Sequence, residues 1–380
     1  MTPSTPGSSA RTPRGRFKVW FNRDFGAYFF LVYLAIMLPR YELTKQDRIV
    51  PPYEVFHSGQ ALGTKWHVKF DLGYRIVPNS KFSSEYFSYP PYSVIHPTLS
   101  HVDHDMSTWR NDSHLMRFNL GNSTDWEPVP QALATVIQEA KRVYDLTDGA
   151  FDVTAGTLVL YWGFGPNSVN LRSRDTKTLD DYRRMVGSNM LYVRTDPPEI
   201  RKNNVNLFVD LSAIAKGYAA DQIALGLHEK PDCYQGMVEI GGEVRVWGYK
   251  HWPIMIEAPV SGRREPLTVV ELKNQAMATS GDYRQHKTVD GREVTHIIDP
   301  RTGMPIEHEL ASVSVVHESC MTADALATAL MVMGPGEGYD FCVKQDIAAL
   351  LVTRESDAFA VKRTPAWKRD VKERGALPRR

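Results

Sequence analysis

Residues 205–221, VNLFVDLSAIAKGYAAD, restrict the fold more than any other stretch because their hydrophobic period changes within a few positions. Val205, Leu207, Val209 and Leu211 alternate with Asn206, Phe208 and Asp210, the pattern of a strand with one face in a core. From Ser212, a residue suited to an N-cap, the period lengthens and Ile214, Tyr218 and Leu225 share a helical face. The expectation is a strand that ends in a carboxylate and runs straight into a helix start, with Asp210 and Lys216 close together. A cation one turn into a helix sits at the positive end of the macrodipole, so a nearby anion would account for Lys216. A surface pair with Asp221 accounts for it equally. Gly217 costs roughly 1 kcal/mol against Ala in a helix interior, which close approach by another backbone or a ligand would justify.

Apolar residues make up 42% of the 380, enough for a sizeable core in one large two-part domain or a few smaller ones. Lys plus Arg total 45 against 44 Asp plus Glu, a balance that gives no reason to expect nucleic acid. Cys233, Cys320 and Cys342 are widely spaced and odd in number, which indicates neither a disulfide framework nor a zinc site. Residues 1–24 are basic and rich in Ser, Thr, Pro and Gly, and disorder is expected there. Residues 25–38, FGAYFFLVYLAIML, are short for a membrane span but fit a signal h-region or signal anchor. Pro39, Arg40, Tyr41 and Glu42 follow in place of a small-residue cleavage site. The favoured reading is an uncleaved anchor in a bacterial inner membrane, with the following chain on the periplasmic side. A buried apolar helix of a soluble domain remains the other reading.

The folded domain is expected over residues 53–360. A half-buried strand is expected at 65–70, loops at 71–92, and helices at 97–105, 129–144 and 179–186. Residues 167–200 read otherwise as a polar surface excursion. In TDGAFDVTAGTLVLYWGFGP, residues 147–166, glycines interrupt large apolar residues, a composition suited to tight backbone packing or to a flat ligand lying on main chain. MVEIGGEVRVWG, residues 237–248, reads as two strands about a Gly241-Gly242 turn, and short strands follow at 252–257, 269–272 and 277–280. THIIDPRTGMP, residues 295–305, reads as a strand end at His296 to Ile298 and a turn at 299–303, before a returning strand at 311–317. A solvated basic tail is expected over 361–380.

In SCMTADALATALMVMG, residues 319–334, Thr322 is the expected cap and Gly334 the stop, with Leu326, Leu330 and Met333 toward the core. Asp324 and Thr328, four residues apart, share another face and offer two hard oxygen donors for a Mg2+ ion that also takes a carbonyl and substrate phosphates. The helix dipole and a back-bonded threonine explain the same two residues without a metal.

Taken together and in order, MSTWRNDSHLMRFN (106–119), TDGAFDVTAGTL with YWGFGP, VDLSAIAKGYAAD, VEIGGEVR, THIIDPRTGMP and SCMTADALATAL resemble the successive signatures of the flavin transferase (ApbE) family. The resemblance runs from about residue 60 to about residue 335. It implies an α+β fold of the family's own type, in which FAD lies in a cleft between two subregions with Mg2+ at its pyrophosphate. The implied reaction moves FMN from FAD to a threonine of an acceptor redox protein through a phosphoester and releases AMP. Carried over by motif, Asp324, Thr328 and the Ala213 carbonyl hold the metal, and Asp210 and Lys216 contact FAD. Trp109, where the family usually has Tyr, stacks on the cofactor, Ala150, Phe151 and Asp152 line the cleft, Ile297 closes it, and His296 is the base. Leu62 stands where the family often has Met, and an aliphatic side chain still packs on a flat ring. No cysteine precedes Cys233, so the lipid anchor of many members is not expected. Hydrolysis of FAD to AMP and FMN, or flavin binding without turnover, are the alternatives.

Overall fold

An eight-stranded antiparallel sheet frames the protein in a computed structural model that describes residues 47–374, apart from 51, 74, 79–90, 166–176, 231, 261, 263, 285, 290 and 357. The sheet belongs to a large unit of residues 50–75 and 83–380; the smaller unit, 1–49 and 76–82, is described only at 47–49 and 76–78. The expected N-terminal disorder and the anchor at 25–38 lie outside the described residues. Among those residues no helix is long and apolar enough to cross a membrane.

The sheet strands are β1 (Tyr53–Ala61), β2 (Thr64–Leu72), β3 (Cys233–Ile240), β4 (Glu243–Trp247), β5 (Ala276–Gly281), β6 (Leu310–His317), β7 (Ala348–Glu355) and β8 (Ala358–Arg363). They lie side by side in chain order, each antiparallel to the next. Both faces of the central strands are buried. Ala276, Ala278, Val313, Val315, Ala349 and Leu351 point into one core, and Met277, Val316, Ala348 and Leu350 into another. That is why 348–352 reads as an unbroken apolar run rather than an alternating one, while in 311–316 the small Ser312 and Ser314 are themselves buried.

The first core is covered by helices, among them α1 (Pro91–Met106), α2 (His114–Leu120), α3 (Gln131–Leu146), α4 (Ala215–His228) and α5 (Cys320–Lys344). Ser319, not Thr322, caps α5 by accepting from the Thr322 N–H, while the Thr322 hydroxyl donates to Glu139 on α3 at 2.7 Å. Gly334 breaks the helical backbone at φ 79°, as its glycine suggests, but the helix resumes at Pro335. The second core is covered by a three-stranded sheet, Trp252–Glu257, Pro266–Leu272 and Lys372–Arg374, and by the helix Pro365–Asp370.

Three further expectations are corrected. Residues 361–374 are folded rather than a solvated tail: Trp367 is fully buried and its indole N–H donates to Glu373 at 2.7 Å. The basic residues there flank one large apolar anchor, which charge counting alone conceals. In the expected surface excursion, Leu191–Thr195 and Pro198–Lys202 form a hairpin with Leu191 and Ile200 fully buried. Residues 205–211 form no ladder beyond one bridge between Phe208 and Ala155. The alternation did read burial, since Leu207, Val209 and Leu211 are all fully buried. Pairing is replaced by the Asn119 side chain, which donates to the Val209 carbonyl and accepts its N–H, both at 2.8 Å.

Candidate active site

The turn into α4 is built by Asp210. Its carboxylate accepts from the Ser212 N–H at 2.9 Å and hydroxyl at 2.6 Å, so Ser212 is spent on this turn and does not cap the helix. The helix begins only at Ala215 because the Gly217 N–H donates to Asp324 Oδ2 on α5, at 3.2 Å, instead of to the carbonyl four residues back. That carbonyl is Ala213's, and it is left outside the helical ladder, an oxygen suited to a cation.

Gly217 is where α4 and α5 touch. A Cβ there would lie 2.3 Å from the Cys320 carbonyl oxygen, so glycine is required by close approach of another backbone. Asp221, one turn further along α4, accepts from the Ser319 hydroxyl at 2.9 Å and from the Cys320 and Met321 N–H groups at 3.0 Å each. Asp221 thus anchors the α5 N-terminus, where a carboxylate is favoured, and does not pair with Lys216.

Lys216 instead turns inward. Its Nζ lies 3.1 Å from Glu243 Oε1 on β4 and 3.7 Å from Asp324 Oδ2, and donates to the Ser212 carbonyl at 3.1 Å. Asp324 is 2% exposed and Glu243 4% exposed. Burial alone would lower the Lys216 pKa, but the two carboxylates outweigh it and hold the ammonium above its ordinary range. Asp324 shifts upward: burial and the neighbouring Glu243 together outweigh the attraction of Lys216. Two carboxylates against one ammonium leave the cluster one negative charge in excess when both are ionised. Glu243 Oε2 is buried without a hydrogen-bond partner. An unfilled acceptor and surplus negative charge fit a small hard cation such as Mg2+. Thr328 adds a hydroxyl at the same helix, 3.1 Å from the Ser280 hydroxyl on β5.

Geometry therefore gathers Asp210, Ala213 and Lys216 at one turn and joins Lys216 to Asp324 directly. Glu243 was not among the expected site residues. A lone glutamate after a Gly-Gly turn has no local signature, and its alternation with Val244 and Val246 puts it on one strand face with Arg245, a face that reads as polar. The remaining expected residues lie as follows. Trp109, 67% exposed, stands on the loop 107–113 between α1 and α2. Leu62, at φ 51°, begins the β1–β2 turn and borders a cavity of ≈ 300 Å³ against α1, with Trp66, His96 and Asp103. Ala150 and Phe151 are buried. Asp152, pushed upward by burial against the pull of its hydrogen bonds, accepts from Thr154 and Ser188 through their N–H and hydroxyl groups, so its side chain ties the 147–154 turn to 188. Ile297 is buried, and the His296 ring lies 6.3 Å from that of Phe164.

Residues 62–351 match the model of the ApbE family. An FAD:protein FMN transferase of Vibrio cholerae is 38% identical over 313 residues, 81% of this chain and 90% of that protein. One from Escherichia coli K12 is 34% identical over 319 residues, 82% and 87% of the two chains. Among solved structures, the flavin transferase ApbE from Vibrio cholerae superposes with a TM-score of 0.70 at 37% identity, covering 84% of this chain and 99% of that one. The apo form of the Pseudomonas stutzeri flavinyl transferase ApbE gives 0.70 at 31% identity, covering 87% and 98%. The chain belongs to the ApbE family.

Proposed function

We propose that the protein transfers the FMN half of FAD to a threonine hydroxyl of an acceptor flavoprotein, at the cluster around Asp324. Transfer of flavin from FAD to a target protein is the activity named for the relatives above, which this chain matches over most of its length. The observation that carries the assignment to this cluster is the pair of buried carboxylates Glu243 and Asp324 against the partly buried Lys216, with a surplus negative charge when both are ionised and the unfilled Glu243 oxygen.

In this reading Asp324, Thr328 and the Ala213 carbonyl hold Mg2+, which supplies neutralisation of the phosphoryl oxygens. Lys216 and the turn at Asp210 face the pyrophosphate, and Lys216 offsets charge that grows as the bond breaks. Trp109 offers a flat exposed face for stacking, while Leu62, Ala150, Phe151, Asp152 and Ile297 shape the cleft around FAD. His296 takes the proton of the threonine hydroxyl on an imidazole nitrogen. The hydroxyl oxygen bonds to the FMN phosphorus, the bridging P–O bond breaks, and AMP leaves with the electron pair. Residues 25–38 anchor the chain in the inner membrane with the enzyme domain on the periplasmic side; their apolar sequence behind a basic segment supports this placement.

Incubation with FAD, Mg2+ and an acceptor flavoprotein that presents an exposed threonine tests the reading by mass spectrometry. One FMN unit gained per acceptor with one AMP released is expected, and both are lost on chelation or with Asp324→Ala. AMP and free FMN beside an unmodified acceptor would replace transfer with hydrolysis. Bound but intact FAD would leave a carrier.

A further inference from the structure

The last turn of α1 carries His104 and Asp105, and α2 opens on His114, so the three meet where the loop 107–113 leaves and returns. His114 Nδ1 is 3.0 Å and His104 Nδ1 3.6 Å from the same oxygen, Asp105 Oδ1. The two rings stand nearly perpendicular, at 78° with centroids 4.9 Å apart, and one nitrogen from each lies with the carboxylate oxygen inside a 4.8 Å span. A tetrahedral ion with bonds of about 2.0–2.1 Å needs donors about 3.3 Å apart, and the two measured separations bracket that value. Asp105 is 8% exposed, whereas both histidine rings keep an open side for entry and for water ligands. The nearby carboxylates of Asp103 and Asp112 are occupied by Arg110, which leaves Asp105 as the anionic donor.

We propose that His104, Asp105 and His114 bind a divalent transition-metal cation, Zn2+ by its chemistry, at a site separate from the oxygen donors around Asp324. Two neutral imidazoles and one carboxylate suit borderline cations and disfavour Mg2+, which prefers an all-oxygen shell. The bound ion clasps the end of α1 to the start of α2 and so fixes the feet of the loop that carries Trp109. Ligation replaces the hydrogen bond between His114 and Asp105, and any proton on either coordinating nitrogen is released.

Co2+ is the spectroscopic probe, added to the purified full chain after chelation and dialysis. One Co2+ per chain with the intense visible bands of four- or five-coordinate cobalt is expected, bleached by Zn2+ and unaffected by excess Mg2+. His104→Ala removes a half-exposed side chain, so folding is kept while the bands vanish and Zn2+ affinity falls at least tenfold. Asp324→Ala should leave the bands in place. Bands that survive both His104→Ala and His114→Ala, that disappear in Asp324→Ala, or that Mg2+ abolishes would overturn the proposal. So would the absence of stoichiometric Co2+, with the histidines then serving only to hydrogen-bond Asp105.

Discussion

Replacing Gly217 by alanine sets two effects of opposite sign against each other. Alanine in a helix interior gains about 1 kcal/mol over glycine. The added Cβ would lie 2.3 Å from the Cys320 carbonyl oxygen, 2.7 Å from its carbon and 2.8 Å from Met321 Cα, all backbone atoms that no rotamer change can move. Restoring ordinary contact at 3.4 Å requires about 1.1 Å of separation between α4 and the α5 N-terminus. That displacement strains the three hydrogen bonds at Asp221 and the bond from Gly217 to Asp324. Overpacking of this kind costs about 1–3 kcal/mol, and weakened charge-assisted bonds add about 1 kcal/mol or more. The clash wins, and Gly217→Ala destabilises by about 1–3 kcal/mol net, read from the urea midpoint at unchanged slope. A shift of about 1 Å between Lys216 and Asp324 also lowers turnover of FAD by about a hundredfold. Gly226→Ala is the internal control. Its Cβ meets a methyl of the Val94 side chain at 2.8 Å rather than backbone, so stability changes by less than the Gly217 variant and turnover stays intact. A Gly217→Ala protein that is about 1 kcal/mol more stable and fully active would refute the reasoning, because the helices would then not be held by that contact.

Lys216→Met strips the cation from two buried carboxylates and should cost about 3–5 kcal/mol in metal-free protein, with FAD turnover lost and divalent cations restoring stability but not turnover. Burial raises the Cys320 thiol well above its ordinary range and pushes Cys342 up to about 12. At pH 8 a thiol of that pKa holds about a thousandfold less thiolate than a free cysteine, so a disulfide reagent should label neither until denaturant unfolds the chain. Fast native labelling would contradict their burial. Trp367→Ala empties the second core and should destabilise by about 3–5 kcal/mol, whereas a basic tail would tolerate the change without effect.

The sequence made some of this legible and hid the rest for identifiable reasons. The Gly241-Gly242 hairpin, strands β2 to β6 of the central sheet and the shared helix of Asp324 and Thr328 depend on neighbours within a few residues and are legible, whereas β1, β7 and β8 are not. Gly217 was readable as a point of close approach, though not against what. Asp221 looked like a partner for Lys216 because both lie on one helix, but its three hydrogen-bond donors come from residues 319–321. Glu243 meets Lys216 across the sheet–helix interface, and nothing local marks it. Val209 alternates like a strand residue, yet a single distant Asn119 takes both of its backbone groups. Trp367, among lysines and arginines, anchors a segment that composition assigns to solvent. In each case the missing term is a contact with a residue far away in the chain.

The most direct measurement is the anomalous diffraction of crystals soaked with Mn2+ and FAD, since Mn2+ takes the oxygen shell of Mg2+ and can be seen. The account predicts a peak about 2.2 Å from the Asp324 carboxylate and the Thr328 hydroxyl, with the FAD pyrophosphate against it and Lys216 alongside. FAD bound with no ion at Asp324, or with Mn2+ only at other residues, would contradict it.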